Sequence, residues 1–366
     1  MNITGIIVEY NPFHNGHIKH IKQARKLTNA DVLIAITSGN YTQRGDISII
    51  DKFEKTKAAL ENGVDLVIEL PYIYTVQNAK VFGEKAVELL NAIGVNSIVF
   101  GSETNNVEEL NKYAELNINI DHLKEIMDTG VSYPKAYGLL ASSLYPNDIL
   151  AVSYLKAINK TNIKAYPIQR TTMYHDTKLK KVCSASAIRK AVKDKKDYSI
   201  ATPIKIKHPH FNDELYTYLR RILFTSTKEE LKNIFLVSEG IEGLLIKNAY
   251  KYDNYEEFIN NSVSKRYTKA RIQRVILSII NNINKDDVSS LESLNYIRVL
   301  GFNSKGQEYL RNYENDDYQI VTQFKNIPKA YKDIEWKVSQ MYASLYKKPQ
   351  DYLLKELKSP IIKKSK

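Results

Sequence analysis

GIIVEYNPFHNGHIKH, residues 5–20, is the stretch whose reading decides the fold. Apolar and β-branched residues run up to Glu9, a turn follows, and His14-Asn15-Gly16-His17 opens a segment with helical spacing. Strand, tight turn and helix start in that order form a phosphate-binding corner, because a helix N-terminus carries unpaired N–H groups and partial positive charge. His14 and His17 are three apart and so share one side of that helix start. Neutral or protonated, their imidazoles can hydrogen-bond a phosphate and follow charge as it builds on phosphorus. That points to chemistry on the phosphates as well as binding. Gly16 lets a nucleotide approach the backbone. A capping histidine beside a packing histidine would give the same letters, but the strand in front and the pattern behind favour the nucleotide site. A glycine-rich dinucleotide fingerprint and a P-loop are both missing from the sequence, which argues against NAD binding and kinase-type phosphoryl transfer.

Working outward, strands are expected over 3–9, 31–37, 64–70 and 97–100, with a later one over 163–167. Helical patterns lie between them at 17–28, 52–62, 77–93 and 147–159. Such alternation builds βαβ units and a parallel, doubly wound sheet, whose ligands sit beyond the carboxyl ends of the strands. Glu9, Ser38-Gly39-Asn40, Glu69-Leu70-Pro71 and Gly101-Ser102-Glu103 fall at those ends. After residue 200 the strand signal fades, and helices are expected at 213–224, 227–235, 238–250, 255–260, 266–284 and 289–298, with another over 303–313. The expected organisation is therefore a nucleotide-binding catalytic domain over 1–195, a linker at 194–212, and a mostly helical domain over 205–366 ending in a frayed tail from Lys363.

At 366 residues, 43% hydrophobic and 26% charged, the chain has the composition of a folded soluble protein with room for two or three domains. No apolar run approaches the ~18 residues of a membrane span, and no leader pattern opens the sequence. One cysteine, Cys183, excludes an internal disulfide and any multi-cysteine metal site. A cytoplasmic location, without membrane contact, fits this reading, and no obligate protein partner is inferred. The net charge of +12 is unevenly placed: residues 1–100 are balanced, 101–150 carry eight acids against three bases, and 151–366 carry 40 bases against 23 acids. A basic rear half points to a large polyanion handled there.

Further stretches match a known family: SGNYTQRG (38–45), NGVDLVIELP (62–71), FGSE (100–103), SASAIRK (184–190), EGIEGLL (239–245), SKRYTKARIQR (264–274) and YIRVLGFN (296–303). With GIIVEYNPFHNGH they make the chain resemble the bacterial tRNA(Met) cytidine acetate ligases, of the HIGH-type nucleotidyltransferase superfamily. The resemblance implies a Rossmann-like sheet with ATP across the ends of its first and fourth strands, followed by a helical RNA-binding domain. It carries ATP contacts onto Ile7, Val8, Glu9, Tyr10, Asn11, Pro12, Phe13, His14, Asn15, Gly16, His17 and His20, then Gly101, Asn147, Arg170, Ser184, Ser186 and Arg189. The segment after Asn147, Ile-Leu-Ala-Val-Ser-Tyr154, departs modestly from the family's usual letters. Ser186 can cap the helix it opens while Arg189 points at anions.

Arg44 and Lys52 are expected beside the second strand, holding the acetate carboxylate or pyrophosphate, since arginine offers two parallel donors to either. Asp65, Glu69 and Glu103 are expected as acids on the same rim. Magnesium bridging the ATP phosphates is expected without a protein metal cage. In 264–274 the bases Lys265, Arg266, Lys269, Arg271 and Arg274 face no acid, and Tyr267 shares a helix side with Arg271 and Arg274. These residues, with Lys181 and the neighbouring Lys178, Lys180, Lys190 and Lys193, are expected to grip RNA phosphates while tyrosine stacks on bases.

The reaction implied by the resemblance has two steps: acetate attacks the α-phosphorus of ATP, then N4 of the wobble cytidine of elongator tRNA(Met) takes the acetyl group from the adenylate. His14 and His17 would act by electrostatic stabilisation, and acetyl-CoA would play no part. Two other readings start from the same residues: a small-molecule nucleotidyltransferase, indifferent to the basic motif, and a non-catalytic RNA-binding protein with negligible ATP affinity.

Overall fold

The computed structural model describes residues 1–115, 144–170, 178–358 and 360–364. Strands β1 (Ile3–Val8), β2 (Val32–Ser38), β3 (Leu66–Leu70), β4 (Ser97–Ser102) and β5 (Lys164–Gln169) are parallel and stand in the order β5-β4-β1-β2-β3. They are the five strands expected from the sequence, with bounds shifted slightly. The chain winds outward from β1 through β2 to β3, then crosses back to set β4 on the other side of β1. That reversal opens a crevice past the carboxyl ends of β1 and β4.

All seven residues of β2 are buried. Val32, Ile34 and Ile36 enter one core while Leu33 and Ala35 enter the other, as the period of two dictates for a strand covered on both faces. Helices α1 (Asn15–Thr28) and α2 (Lys52–Glu61) close one face through Ile21, Ala24, Ala58 and Leu60. Helices α3 (Ala79–Ala92) and α4 (Pro146–Ile158) close the other through Phe82, Leu89, Leu90 and Leu155. Helix α5 (Ala185–Lys193) follows.

Next comes the helical region: α6 (Tyr216–Thr225), α7 (Ile241–Lys251), α8 (Tyr255–Ser262) and α9 (Lys269–Ile280), with short turns of helix between. The stripe Ile272, Val275, Ile276 and Ile279 of α9 is buried, as its spacing requires. Its core is continuous with the α3/α4 face of the sheet.

The chain then departs from expectation. Residues 289–298 do not form a helix; β6 (Tyr296–Asn303) pairs antiparallel with β3, and β7 (Gln319–Val321) and β8 (Ile361–Lys363) pair with β6. Strands do not end near residue 200: the expected helical unit over 205–366 gives three strands to the sheet. Seven of the eight residues of β6 are buried, so its letters form an apolar run without the alternation that marks a half-exposed strand. Two further helices, α10 (Lys329–Ala343) and α11 (Pro349–Lys358), pack together against the segment after β2, where Tyr342 Oη donates to the Ser48 carbonyl at 3.0 Å and Asn40 Nδ2 donates to Tyr352 Oη. Lys363 is not frayed: its Nζ donates to the Leu60 carbonyl at 2.8 Å. The last two residues of the expected tail lie outside the described residues.

Candidate active site

Tyr10 turns the chain after β1 with φ 48°, and His14 becomes the N-cap of α1. A helix start needs acceptors for its first N–H groups. Here the imidazoles supply them: His14 Nδ1 accepts the Gly16 N–H at 3.0 Å, and His17 Nδ1 accepts the His14 N–H at 3.1 Å. The result is a capping box built from two histidines, with rings stacked 3.7 Å apart between centroids. An Nδ1 that accepts a hydrogen bond leaves the neutral ring's proton on Nε2.

Gly16 has a more immediate role than opening the backbone to a nucleotide. A β-carbon there would lie 2.7 Å from Cε1 of His14, so only glycine lets the ring fold over the helix start. The Asn15 N–H is also engaged, donating to the Ala201 carbonyl at 3.0 Å. The first-turn amides are thus satisfied within the protein, and the donors left for an anion are imidazole Nε2–H groups.

Burial holds these rings neutral. It pushes His14 down to about 3, helped by Arg170 and Arg189, and His20 down to about 4, although the Val99 carbonyl accepts a bond from His20 Nε2 at 3.3 Å. His17 is driven well below its ordinary value by burial, then by His14, His20 and Arg170. The imidazolium alternative is therefore disfavoured in the free protein.

The rings line a cleft of about 250 Å³. Of the residues carried over as ATP contacts, Ile7, Val8, Glu9, Tyr10, Asn11, Gly16, His20, Gly101, Asn147, Arg170, Ser184, Ser186 and Arg189 line it with the two histidines. Pro12, Phe13 and Asn15 do not. Phe13 is fully buried, and Asn15 Nδ2 donates to the carbonyls of Lys181 (2.7 Å) and Ile200 (2.9 Å).

Arg189 spans from Ser186 Oγ (3.1 Å) to the Asn11 carbonyl (2.6 Å). The cap of α5 is Ser184, accepting the Ala187 N–H at 3.1 Å, and not Ser186 as expected. Arg170 crosses Gly101, where a β-carbon would sit 3.3 Å from its Cγ. Asn147 donates to Glu103, whose loop is held by buried Asp148 through Ser102 Oγ at 2.5 Å and the Glu103 N–H at 3.0 Å.

Arg44 reaches the cleft from the turn after β2; Lys52 does not. Lys52 is buried beside a cavity of about 10 Å³, room for roughly one water. Its Nζ pairs with Glu69 at 2.9 Å and Glu356 at 2.8 Å. Burial opposes its charge, but Glu356, Glu69 and Glu335 outweigh that and leave its pKa above the ordinary lysine value. The cavity beside it is too small for acetate or pyrophosphate. Glu69 is likewise taken up by this pair, and Asp65 lies at the far end of β3, paired with Arg25 and accepting the Leu33 N–H at 2.8 Å. The expected acidic rim is absent at both positions.

The family model described as HIGH Nucleotidyl Transferase matches residues 1–356. A tRNA(Met) cytidine acetate ligase of Oceanobacillus iheyensis is 37% identical over 99% of this chain and 100% of its own, and one of Leuconostoc mesenteroides is 41% identical over 85% and 86%. Crystal structures of Thermotoga maritima TmcAL superpose over the full length of both chains: the apo form with TM-score 0.90 and 29% identity, the form bound with alpha-thio ATP with TM-score 0.87 and 28% identity. The chain belongs to the tRNA(Met) cytidine acetate ligases.

Within this ligase fold the basic motif 264–274 divides into two faces. Lys265, Arg266 and Lys269 are exposed, as is Lys181 beside the histidine turn. Tyr267 is buried, its Oη donating to the Glu239 carbonyl, so it is not available to stack on an RNA base. Arg271 pairs with Glu239 at 3.0 Å, an acid supplied from before α7 that local sequence could not reveal. Arg274 faces inward and donates to the Gln43 carbonyl at 3.3 Å; burial, with Arg271 and Arg44 nearby, pushes its guanidinium down to about 10. Lys190 and Lys193 lie near Asp194 (3.9 Å) and Asp213 (3.0 Å).

α9 therefore supports the Arg44 turn. Gln273 Nε2 and Asn212 Nδ2 both donate to Asp46 Oδ1, at 2.7 and 2.8 Å. Gly45 has φ 84°, and a β-carbon on it would lie 2.5 Å from the Arg274 nitrogen. Sequence reasoning also missed the apolar wall of the cleft, Phe100, Tyr154 and Ile168, and polar Lys19, Thr42 and Gln169. The first group reads as core; the second carries no distinctive spacing.

Proposed function

We propose that this ligase activates acetate with ATP as acetyl-adenylate and transfers the acetyl group to N4 of the wobble cytidine of elongator tRNA(Met). The observation that carries this reading is the pair of neutral, stacked imidazoles offering Nε2–H to a cleft that Arg44, Arg170 and Arg189 also enter. The chemistry asks for such a site. A free carboxylate is a poor acyl donor, and the cytosine amine is weakly nucleophilic because its lone pair is delocalised into the ring. Adenylation addresses the first difficulty and positioning the second.

In this reading His14 and His17 donate to the α-phosphate oxygens as negative charge grows there. Arg170 and Arg189 hold the phosphate tail, and Arg44 offers its fork to the acetate carboxylate. The apolar wall of Phe100, Tyr154 and Ile168 suits the adenine ring. Magnesium accompanying ATP would be held by the nucleotide phosphates and would neutralise part of their charge. The exposed Lys265, Arg266, Lys269 and Lys181 grip tRNA phosphates. The tRNA substrate puts the proposed reaction in the cytoplasm; among the described residues no helix is long and apolar enough to cross a membrane.

The test mixes purified protein, labelled acetate, ATP and total tRNA, and omits each in turn. Label is expected in the wobble cytidine of elongator tRNA(Met) only when all are present. Label in any other tRNA, or incorporation without ATP, would refute the proposal.

A further inference from the structure

Acetyl transfer to a cytosine amine releases a proton, and the cleft must provide somewhere for it to go. The imidazoles of His14 and His17 are poor acceptors, because their Nδ1 atoms are occupied by backbone N–H groups and each neutral ring keeps its proton on Nε2. His20, whose Nε2 donates to the Val99 carbonyl, is pushed down by burial to about 4 and is a weak base. Among the described residues two carboxylates line the cleft, Glu9 and Asp46. Asp46 is committed to the turn, since its Oδ1 receives both Gln273 and Asn212. Glu9 directly follows β1, partly exposed in the cleft, and its Oε1 accepts the Gln43 N–H at 2.6 Å. That bond fixes the carboxylate between the histidine turn and the Arg44 turn and leaves Oε2 for another partner.

We infer that Glu9 is the general base of the acyl-transfer step, taking the N4 proton of the cytidine. This rests on the acetyl-transfer reading above. As N4 adds to the acetyl carbonyl, the N–C bond forms and Glu9 accepts the N4 proton. The carbonyl–oxygen bond to the phosphate then breaks with its electron pair, AMP departs, and the proton later returns to solvent.

Charged and titratable groups face Glu9 from each neighbouring element. Lys55 lies on α2, Arg44 and Asp46 on the turn, and Tyr154 on α4. Lys55 donates to the Gly39 carbonyl at 2.8 Å, and burial pushes it down to about 7. Burial raises the Glu9 carboxyl above the ordinary carboxylate range, with Asp46 adding to this, while the Gln43 bond, Lys55 and Arg44 oppose it. A carboxylate made more basic than one in water is suited to accepting a proton near neutral pH.

The test supplies synthetic acetyl-adenylate and saturating tRNA, so that the adenylation step is bypassed, and follows single-turnover acetyl transfer across pH. Glu9→Gln keeps an oxygen for the Gln43 N–H but cannot take a proton; it is expected to slow transfer about 100-fold and to remove the acid-side inflection of the rate profile. Glu9→Asp is expected to restore part of the rate and the inflection, which a purely structural role would not produce. Transfer by Glu9→Gln within about threefold of the wild type, or an unchanged inflection, would overturn the inference. A wild-type protein that cannot use acetyl-adenylate at all would instead overturn the acyl-transfer reading on which it stands.

Discussion

At the scale of single residues, His14 caps its helix, and substitution can separate that role from the proposed contact with phosphate. Asparagine at an N-cap still accepts the Gly16 N–H, but it cannot reach the cleft with a ring N–H. His14→Asn is expected to keep folding stability within about 0.5 kcal/mol of the wild type, while acetate-dependent ATP–pyrophosphate exchange falls about 100-fold. Equal losses in both measurements would mean the ring only caps the helix. The buried imidazoles also set a pH dependence. Their folded pKa values, about 3 for His14 and about 4 for His20, lie below the ordinary 6.5, so below 6.5 the unfolded chain binds more protons. Their contribution to stability is complete above 6.5 and is lost progressively toward pH 3–4. Urea midpoints are expected to drop between pH 7 and 5, and less so in His20→Asn. Lys52 illustrates a different residue-scale rule. Lys52→Met removes the cation shared by buried Glu69 and Glu356 and leaves Arg298, 3.6 Å from Glu356, as the remaining positive charge, with an expected cost of about 3–5 kcal/mol by denaturant unfolding.

At the scale of elements, the support that α9 gives to the Arg44 turn is the feature most open to test. Gly45→Ala places a β-carbon against the Arg274 backbone at a left-handed φ. It is expected to cost about 1–3 kcal/mol and to raise the KM for acetate, read from the exchange reaction. An unchanged KM would separate the turn from acetate binding. How far the elements were legible follows from the same local interactions. β1, the histidine turn and α1 were readable because strand, turn and helix signals are contiguous within 3–28. β6 was not, since burial on both faces erases its alternation and the preceding residues keep helical spacing. Lys52 sits correctly at the start of α2, yet its partner Glu356 lies near the other end of the chain, and no local pattern announces that pairing. Tyr267 and Arg271 were misread for the same reason: Glu239, which claims both, is distant in sequence.

At the scale of the whole molecule, the uneven charge and the shared core give one consequence. The excess of bases over residues 151–366 includes the exposed Lys265, Arg266 and Lys269, at and just before the start of a helix whose inner face holds the Arg44 turn. Neutralising Lys265, Arg266 and Lys269 together is expected to weaken tRNA binding and to lower the slope of log affinity against log salt by about 0.7–0.9 for each RNA phosphate that no longer meets a cation. Filter binding across a salt series measures this, and an unchanged slope would place the RNA on another surface. Acetate activation by this route requires that an acetate oxygen attack the α-phosphorus of ATP in this cleft. The most direct measurement uses acetate labelled with oxygen-18 during tRNA-dependent turnover, followed by mass spectrometry of the products. One labelled oxygen is expected in AMP for each acetyl group transferred; label in pyrophosphate or inorganic phosphate instead would contradict it.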